Sequence, residues 1–261
     1  MGSNIDQYPH TGAMRYQEGI TKIPACAIST RDAELLSEKL KSDPELLFYF
    51  NQSCEMLPEV KSYNVIAQIN GSSYPEEIIL VGGHLDSWDN GDGAQDDGAG
   101  CVQSMEVLRT FKELGIRPKR SIRCVLFMNE ENGLRGGLEY AKKALERNEK
   151  HLAAIETDAG GFTPRNFGVN ADAAIIQGMK RWESLLRPYG IEEIVSGGGG
   201  ADIGPLKKQG VTLIGFGPDS QRYFDIHHTS ADTFEKVSKR ELELGAGCIT
   251  ALIWLISEYG L

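Results

Sequence analysis

Positive charge is what this sequence has too little of: 27 Lys and Arg stand against 37 Asp and Glu, a net charge of -10 over 261 residues. A protein that grips nucleic acid or an anionic membrane needs a basic face, so neither is an expected partner. Cysteines are few and carry no pattern. The five, Cys26, Cys54, Cys101, Cys124 and Cys248, are an odd number without a CxxC pair, which argues against a disulfide framework and a zinc ribbon. Long apolar runs are missing too. ITALIWLIS near the C-terminus reads as too short to span a bilayer, and the opening MGSNIDQYPH has no apolar stretch of the signal-peptide kind. Repeats and low-complexity tracts are absent as well.

What is present is an ordinary globular composition, 41% apolar and 25% charged, long enough to bury a sizeable core. From about Asn64 onward, β-rich apolar runs alternate with helical patterns, the signature of an α/β sheet covered by helices. The expected strands are YNVIAQI (63–69), IILVG (78–82), SIRCVLFM (121–128), LAAIET (152–157) and VTLIGF (211–216). One expected helix starts near Gly98, carries Val102, Met105, Leu108 and Phe111 on one face, and ends at Gly115 before Pro118. Others cover roughly 134–147, 171–187 and 239–258, the last opened by Ser238 with Glu241 three residues on, a capping box. Residues 1–60 read differently, with IPACAIST as a strand and RDAELLSEKLKSD as a helix, and are expected to form a separate lobe from 61–261.

Residues 89–100, DNGDGAQDDGAG, put four aspartates among glycines. A calcium loop needs ligands at positions 1, 3 and 5, Gly at 6 and Glu at 12. The register fails, because a loop begun at Asp86 has Trp88 at position 3 and one begun at Asp89 has Gly91 and Gly93 where ligands belong. This stretch is one of five acid- or histidine-bearing clusters past strand ends or in loops, where open α/β sheets place their ligands. The others are GGHLDS (82–87), MNEENG (128–133), ETDAGG (156–161) and IHHTSADT (226–233).

The spacing within these clusters has physical content. His84 and Asp86, two apart on an extended chain, leave on the same face, so Asp86 can accept the proton on the far nitrogen of His84. Adjacent Glu130 and Glu131 diverge, so one can ligate a metal while the other reaches its water. Carboxylates within ~4 Å repel by about 4 kcal/mol per pair at a dielectric near 20, so Asp96, Asp158, Glu131 and Glu130 could not share a pocket ionised without cations. Two divalent ions balance three ligand carboxylates and a bridging hydroxide. Two imidazoles with three carboxylates suit zinc best, cobalt or manganese less well.

Together VGGHLDSWDNGDGAQDDGAG, RPKRSIRCVLFMNEENGLRGG, ETDAGG and FDIHHTSADT resemble the co-catalytic di-zinc aminopeptidase family, in its carboxypeptidase Q branch, from about Pro9 to near the C-terminus. The resemblance implies a mixed, mostly parallel sheet with helices on both faces. It makes His84 and Asp158 ligands of one zinc, Glu131 and His228 ligands of the other, Asp96 the bridge, Glu130 the general base and Asp86 the partner of His84. It also implies a cis Asp96–Asp97 bond. Some relatives have a tyrosine before the last histidine, where this chain has His227, which is therefore a candidate oxyanion donor or a structural histidine. Residues 1–60 resemble the end of a protease-associated lobe inserted into the peptidase domain, which implies a chain beginning within that insertion. The implied activity is removal of one residue from dipeptides or short peptides through a hydroxide bridging two zinc ions. A homodimer and a periplasmic, secreted or lysosomal home are expectations of the same kind. Competing readings are a non-catalytic binding relative and a single-zinc glutaminyl cyclase. Asp89 and Asp92 are expected at a solvated rim, and SGGGGAD (196–202) as either a flexible connection or a substrate cradle.

Overall fold

A computed structural model of the chain describes residues 6–261. Seven strands form one mixed sheet in the order β1-β3-β2-β4-β7-β5-β6: β1 (Val65–Ile69), β2 (Tyr74–His84), β3 (Arg120–Phe127), β4 (Lys150–Glu156), β5 (Pro164–Asn170), β6 (Glu193–Ser196) and β7 (Thr212–Pro218). Strands β3, β2, β4 and β7 run parallel, while β1 is antiparallel to β3 and β5 to β7. The α/β fold expected from the alternation is therefore found, with two strands the sequence reading lacked. PRNFGVN and EIVS were missed because Pro, Gly and Asn depress strand propensity in the first and the second is only four residues long.

The period of two in β2 fixes the layers. Ile79 and Val81 face a cluster with Phe111, Ile122 and Ile253, while Leu80 faces another with Phe127, Tyr140 and Leu206. The first cluster lies under helices α2 (Ala99–Glu113), α5 (Ala173–Lys180) and α7 (Lys239–Tyr259); the second lies under α4 (Arg135–Glu146). Short turns α3 (Glu130–Gly133) and α6 (Glu183–Leu186) complete this part. The single helix expected over 171–187 is instead α5 and α6, with Trp182 between them.

One further expectation is corrected. In α2, Val102 and Met105 are exposed, and the buried stripe is Cys101, Ser104, Val107 and Phe111. Polar Ser104 and Gln103 are buried here, so an apolar pattern alone points to the wrong face. The C-terminal helix, α7, is longer than its ITALIWLIS run. By length and composition it could cross a membrane, although half of the relevant window is buried inside the fold. Its N-cap is as expected, with the Ser238 side chain accepting from the Glu241 amide.

Residues 6–63 contain one regular element, the helix α1 (Thr30–Ser42), and IPACAIST is not a strand. Helix α1 buries none of its residues.

Candidate metal centre

The ends of the parallel strands bring the clusters together. His84 closes β2, Glu130 and Glu131 follow β3, Asp158 lies two residues beyond β4, and the two histidines lie in the loop after β7. Asp96 comes from the turn 94–98 that leads into α2. His84 Nε2 is 3.2 Å from Asp96 Oδ1 and 3.5 Å from Asp158 Oδ1. His228 Nε2 is 3.2 Å from Asp96 Oδ2 and 3.0 Å from Glu131 Oε2. Asp96 thus stands between two imidazoles, one oxygen to each, with Asp158 on one side and Glu131 on the other.

The backbone settles the tautomers. His84 Nδ1 lies 2.8 Å from the Asp86 carbonyl and His228 Nδ1 lies 3.1 Å from the Thr11 carbonyl. A carbonyl only accepts, so each Nδ1 carries the proton and each Nε2 turns a lone pair toward carboxylates. Acceptor meets acceptor, and only a second proton or a metal ion reconciles them. His84 Nε2, Asp96 Oδ2 and Glu131 Oε1 are buried without a hydrogen-bond partner. The residues fit metal ions.

Titration points the same way. Burial opposes a charge on His84, but the Asp158 and Asp96 carboxylates outweigh it and its pKa is raised. His228 is likewise opposed by burial yet drawn up to about 10 by Asp96 and Glu131. Burial also works against ionised Asp96, but His228 and His84 hold its pKa below the ordinary carboxylate range. Without a metal, this pocket collects protons. Glu130 has a different environment: burial, then the charge of Asp158, pushes it up to about 7.

Asp86 acts otherwise than its spacing suggested. Its carboxylate is 3.9 Å from His84 Nδ1, and the shorter contact to that nitrogen is its own carbonyl. The carboxylate oxygens instead accept from the Glu130 and Glu131 amides at 3.0 and 3.3 Å. Asp86 therefore fixes both glutamates and, through its backbone, the ring of His84. His227 stacks on His228, with centroids 3.5 Å apart, and its Nε2 is 3.3 Å from Asp96 Oδ2. Burial, then the neighbouring His228 charge, lowers it to about 4, so it is a neutral imidazole.

Several positioning groups carried no sequence signal. Trp88 Nε1 donates to Glu131 Oε2 at 2.6 Å. Asp232 accepts from the Gln95 and Asp96 amides at 2.8 and 3.0 Å, and Gln95 accepts from the Gly161 amide. Asp97 accepts from the His84 and Gly100 amides, tying β2 to the start of α2. Gly100 is needed there, because a Cβ would strike the Thr157 carbonyl and the Asp97 carboxylate. The Asp96–Asp97 peptide is cis, as the resemblance implied. Asp89 and Asp92 are exposed at the rim, Asp92 accepting from the Phe234 amide. The glycine run after β6 does not line the cavity. Gly198 and Gly199 pack on the backbones of Gly168 and Gly215, and Gly200 lies against the Glu156 carboxylate.

A family model, "Peptidase family M28", matches residues 64–252. The chain belongs to peptidase family M28. Over 251 residues it is 35% identical to carboxypeptidase Q of Mus musculus, covering 96% of this chain and 52% of that protein. The Homo sapiens protein gives the same identity and coverage. This M28 chain spans about half the length of the curated relatives it matches. The crystal structure of a peptidase M28 precursor from Shewanella amazonensis superposes with a TM-score of 0.88 at 35% identity, covering 98% of this chain and 58% of that one. A zinc aminopeptidase from Bacillus subtilis, 23% identical with a TM-score of 0.60 over 73% of this chain and 49% of that one, shares the fold.

Proposed function

We propose that this chain carries the catalytic site of a zinc-dependent exopeptidase that cleaves dipeptides or takes the N-terminal residue from short peptides. The observation that supports it most directly is the pair of imidazole lone pairs facing three carboxylates, with His84 Nε2, Asp96 Oδ2 and Glu131 Oε1 buried and without a hydrogen-bond partner. In this reading His84 and Asp158 hold one zinc ion, Glu131 and His228 hold a second, and Asp96 joins the two; cobalt or manganese would substitute less well. Bound there, the ions would supply Lewis acidity at the scissile carbonyl and at the attacking water.

The protein's own groups account for the rest. Glu130, pushed up to about 7, is in a range suited to taking a proton from water near neutrality and returning it to the leaving amine. Asp86, bonded to the Glu130 and Glu131 amides, keeps the base beside the ligand. Neutral His227 and the hydroxyl of buried Tyr223 both line the cavity, where either can donate to a developing oxyanion.

The test is a zinc-reconstituted assay comparing dipeptides with aminoacyl chromogenic amides, run beside Glu130→Gln. We expect two zinc ions per chain by elemental analysis, retained in the variant, and a fall in kcat of roughly 10²–10⁴. A fully active Glu130→Gln protein would remove Glu130 from this role. One zinc per chain with cyclisation of N-terminal Gln peptides would replace the peptidase reading by a cyclase.

A further inference from the structure

The catalytic cavity, about 510 Å³, is lined by the carboxylates of Asp96, Glu130, Glu131 and Asp158, and by one residue of opposite charge, Arg15. No other Lys or Arg lines it among the described residues. Arg15 comes from the exposed first stretch, yet the chain just before it is fastened to the site. His10 Nδ1 donates to the His227 carbonyl at 2.8 Å, the Thr11 amide donates to the His228 carbonyl at 2.9 Å, and His228 Nδ1 donates to the Thr11 carbonyl at 3.1 Å. The guanidinium itself has no ion-pair or hydrogen-bond partner among the described residues.

Charge balance says what such a group would meet. With two divalent cations held as proposed, the three ligand carboxylates and a bridging hydroxide are offset, which leaves Glu130 and the Arg15 guanidinium as the charged groups of the lining, and Arg15 pairs with no carboxylate among the described residues. A guanidinium at the mouth of a partly desolvated cavity is matched by a planar anion that accepts two parallel N–H bonds, which is the geometry of a carboxylate. Peptides carry that group at the C-terminus or on an acidic side chain.

We infer that Arg15 is a specificity residue of this site, binding a carboxylate of the peptide substrate. The inference rests on the peptidase reading above and adds the substrate class, peptides bearing a carboxylate close to the cleaved bond. Short chains meet this condition through their C-terminus, whereas a long peptide would need an acidic residue near its N-terminus.

The test measures kcat/KM of the zinc-loaded full chain on two matched pairs, Ala-Ala against its C-terminal amide and Ala-Glu-amide against Ala-Gln-amide. Wild type should favour the carboxylate member of at least one pair on the order of tenfold, through KM, and Arg15→Ala should bring that ratio to within about twofold of one. Arg15→Glu should invert it. Discrimination in the first pair assigns the C-terminal carboxylate, and in the second the side chain. Ratios that are the same in wild type and Arg15→Ala for both pairs overturn the assignment. Calorimetric binding of the same peptides to Glu130→Gln, with and without Arg15→Ala, separates the two readings. Binding that shows the preference and its loss, without turnover by wild type, sinks the peptidase reading and keeps Arg15; turnover with unchanged ratios does the reverse.

Discussion

Residues 6–63 and the sheet that follows are rich in the same apolar residue types and place them in opposite surroundings. Leu47, Tyr49, Met56 and Val60 are at least 86% exposed, whereas Ile79, Leu80, Val81 and Phe127 are fully buried. The contrast is one of geometry. In β2 a period of two sends Ile79 and Leu80 to opposite faces, each met by helices, while the run LLFYF (46–50) has no regular backbone to sort its side chains and no opposing surface. Helix α1 shows that local signals suffice for structure without burial, since Ser29 caps it and none of its residues is buried. Apolar content does not make a core; paired surfaces do. The exception is residues 10 and 11, which hydrogen-bond His227 and His228 beside the candidate metal centre without adding to the core.

The contrast can be broken by substitution. Phe111→Ala removes a fully buried ring between α2 and the sheet and should cost about 3–5 kcal/mol in urea unfolding; a loss below about 1 kcal/mol would show a core far looser than described. A smaller effect should follow from acid. Burial, then the Arg123 charge, lowers His151 from 6.5 to about 4, and its Nε2 is held by the Tyr140 hydroxyl at 2.7 Å. Between those values the unfolded chain takes a proton that the folded chain refuses. This contribution is therefore complete above about pH 6.5 and is lost as pH falls toward 4, by about 2 kcal/mol at pH 4.5. Urea midpoints at pH 7 and 4.5 should differ less in His151→Gln than in wild type, and parallel losses would exclude the histidine as the source. The smallest change belongs to the exposed stretch, where Met56→Ala should stay within about 0.5 kcal/mol. A larger cost would mean that this stretch buries its apolar side chains against something.

The proposed ligand set was legible because each member lies in a short acid- or histidine-bearing cluster past a strand end or in a loop, and the structure brings all five side chains together. Trp88, Gln95, Asp97 and Asp232 were not legible as positioning groups. Their work is side chain to backbone or side chain to side chain, in pairs such as Trp88 with Glu131 and Asp232 with Asp96, and such bonds leave no period in a sequence. Asp86 was read as a partner of His84 from its spacing of two, but the amides of Glu130 and Glu131, 44 and 45 residues away, compete for its carboxylate. The buried face of α2 was misread for a related reason, since Gln103 and Ser104 are buried polar groups that an apolar template counts as solvent-facing.

From its sequence alone this protein has its strand and helix alternation, the cap of α7 and the five side chains able to hold metal, because these depend on neighbours a few residues apart. Tertiary structure alone decided which oxygen of Asp96 faces which imidazole, which nitrogen of His228 keeps its proton, and that Arg15 shares a cavity with residues more than 80 positions later. Those outcomes turn on the backbone of other segments, the Thr11 carbonyl against His228 among them, and contacts at such separation are set by packing rather than by local propensity.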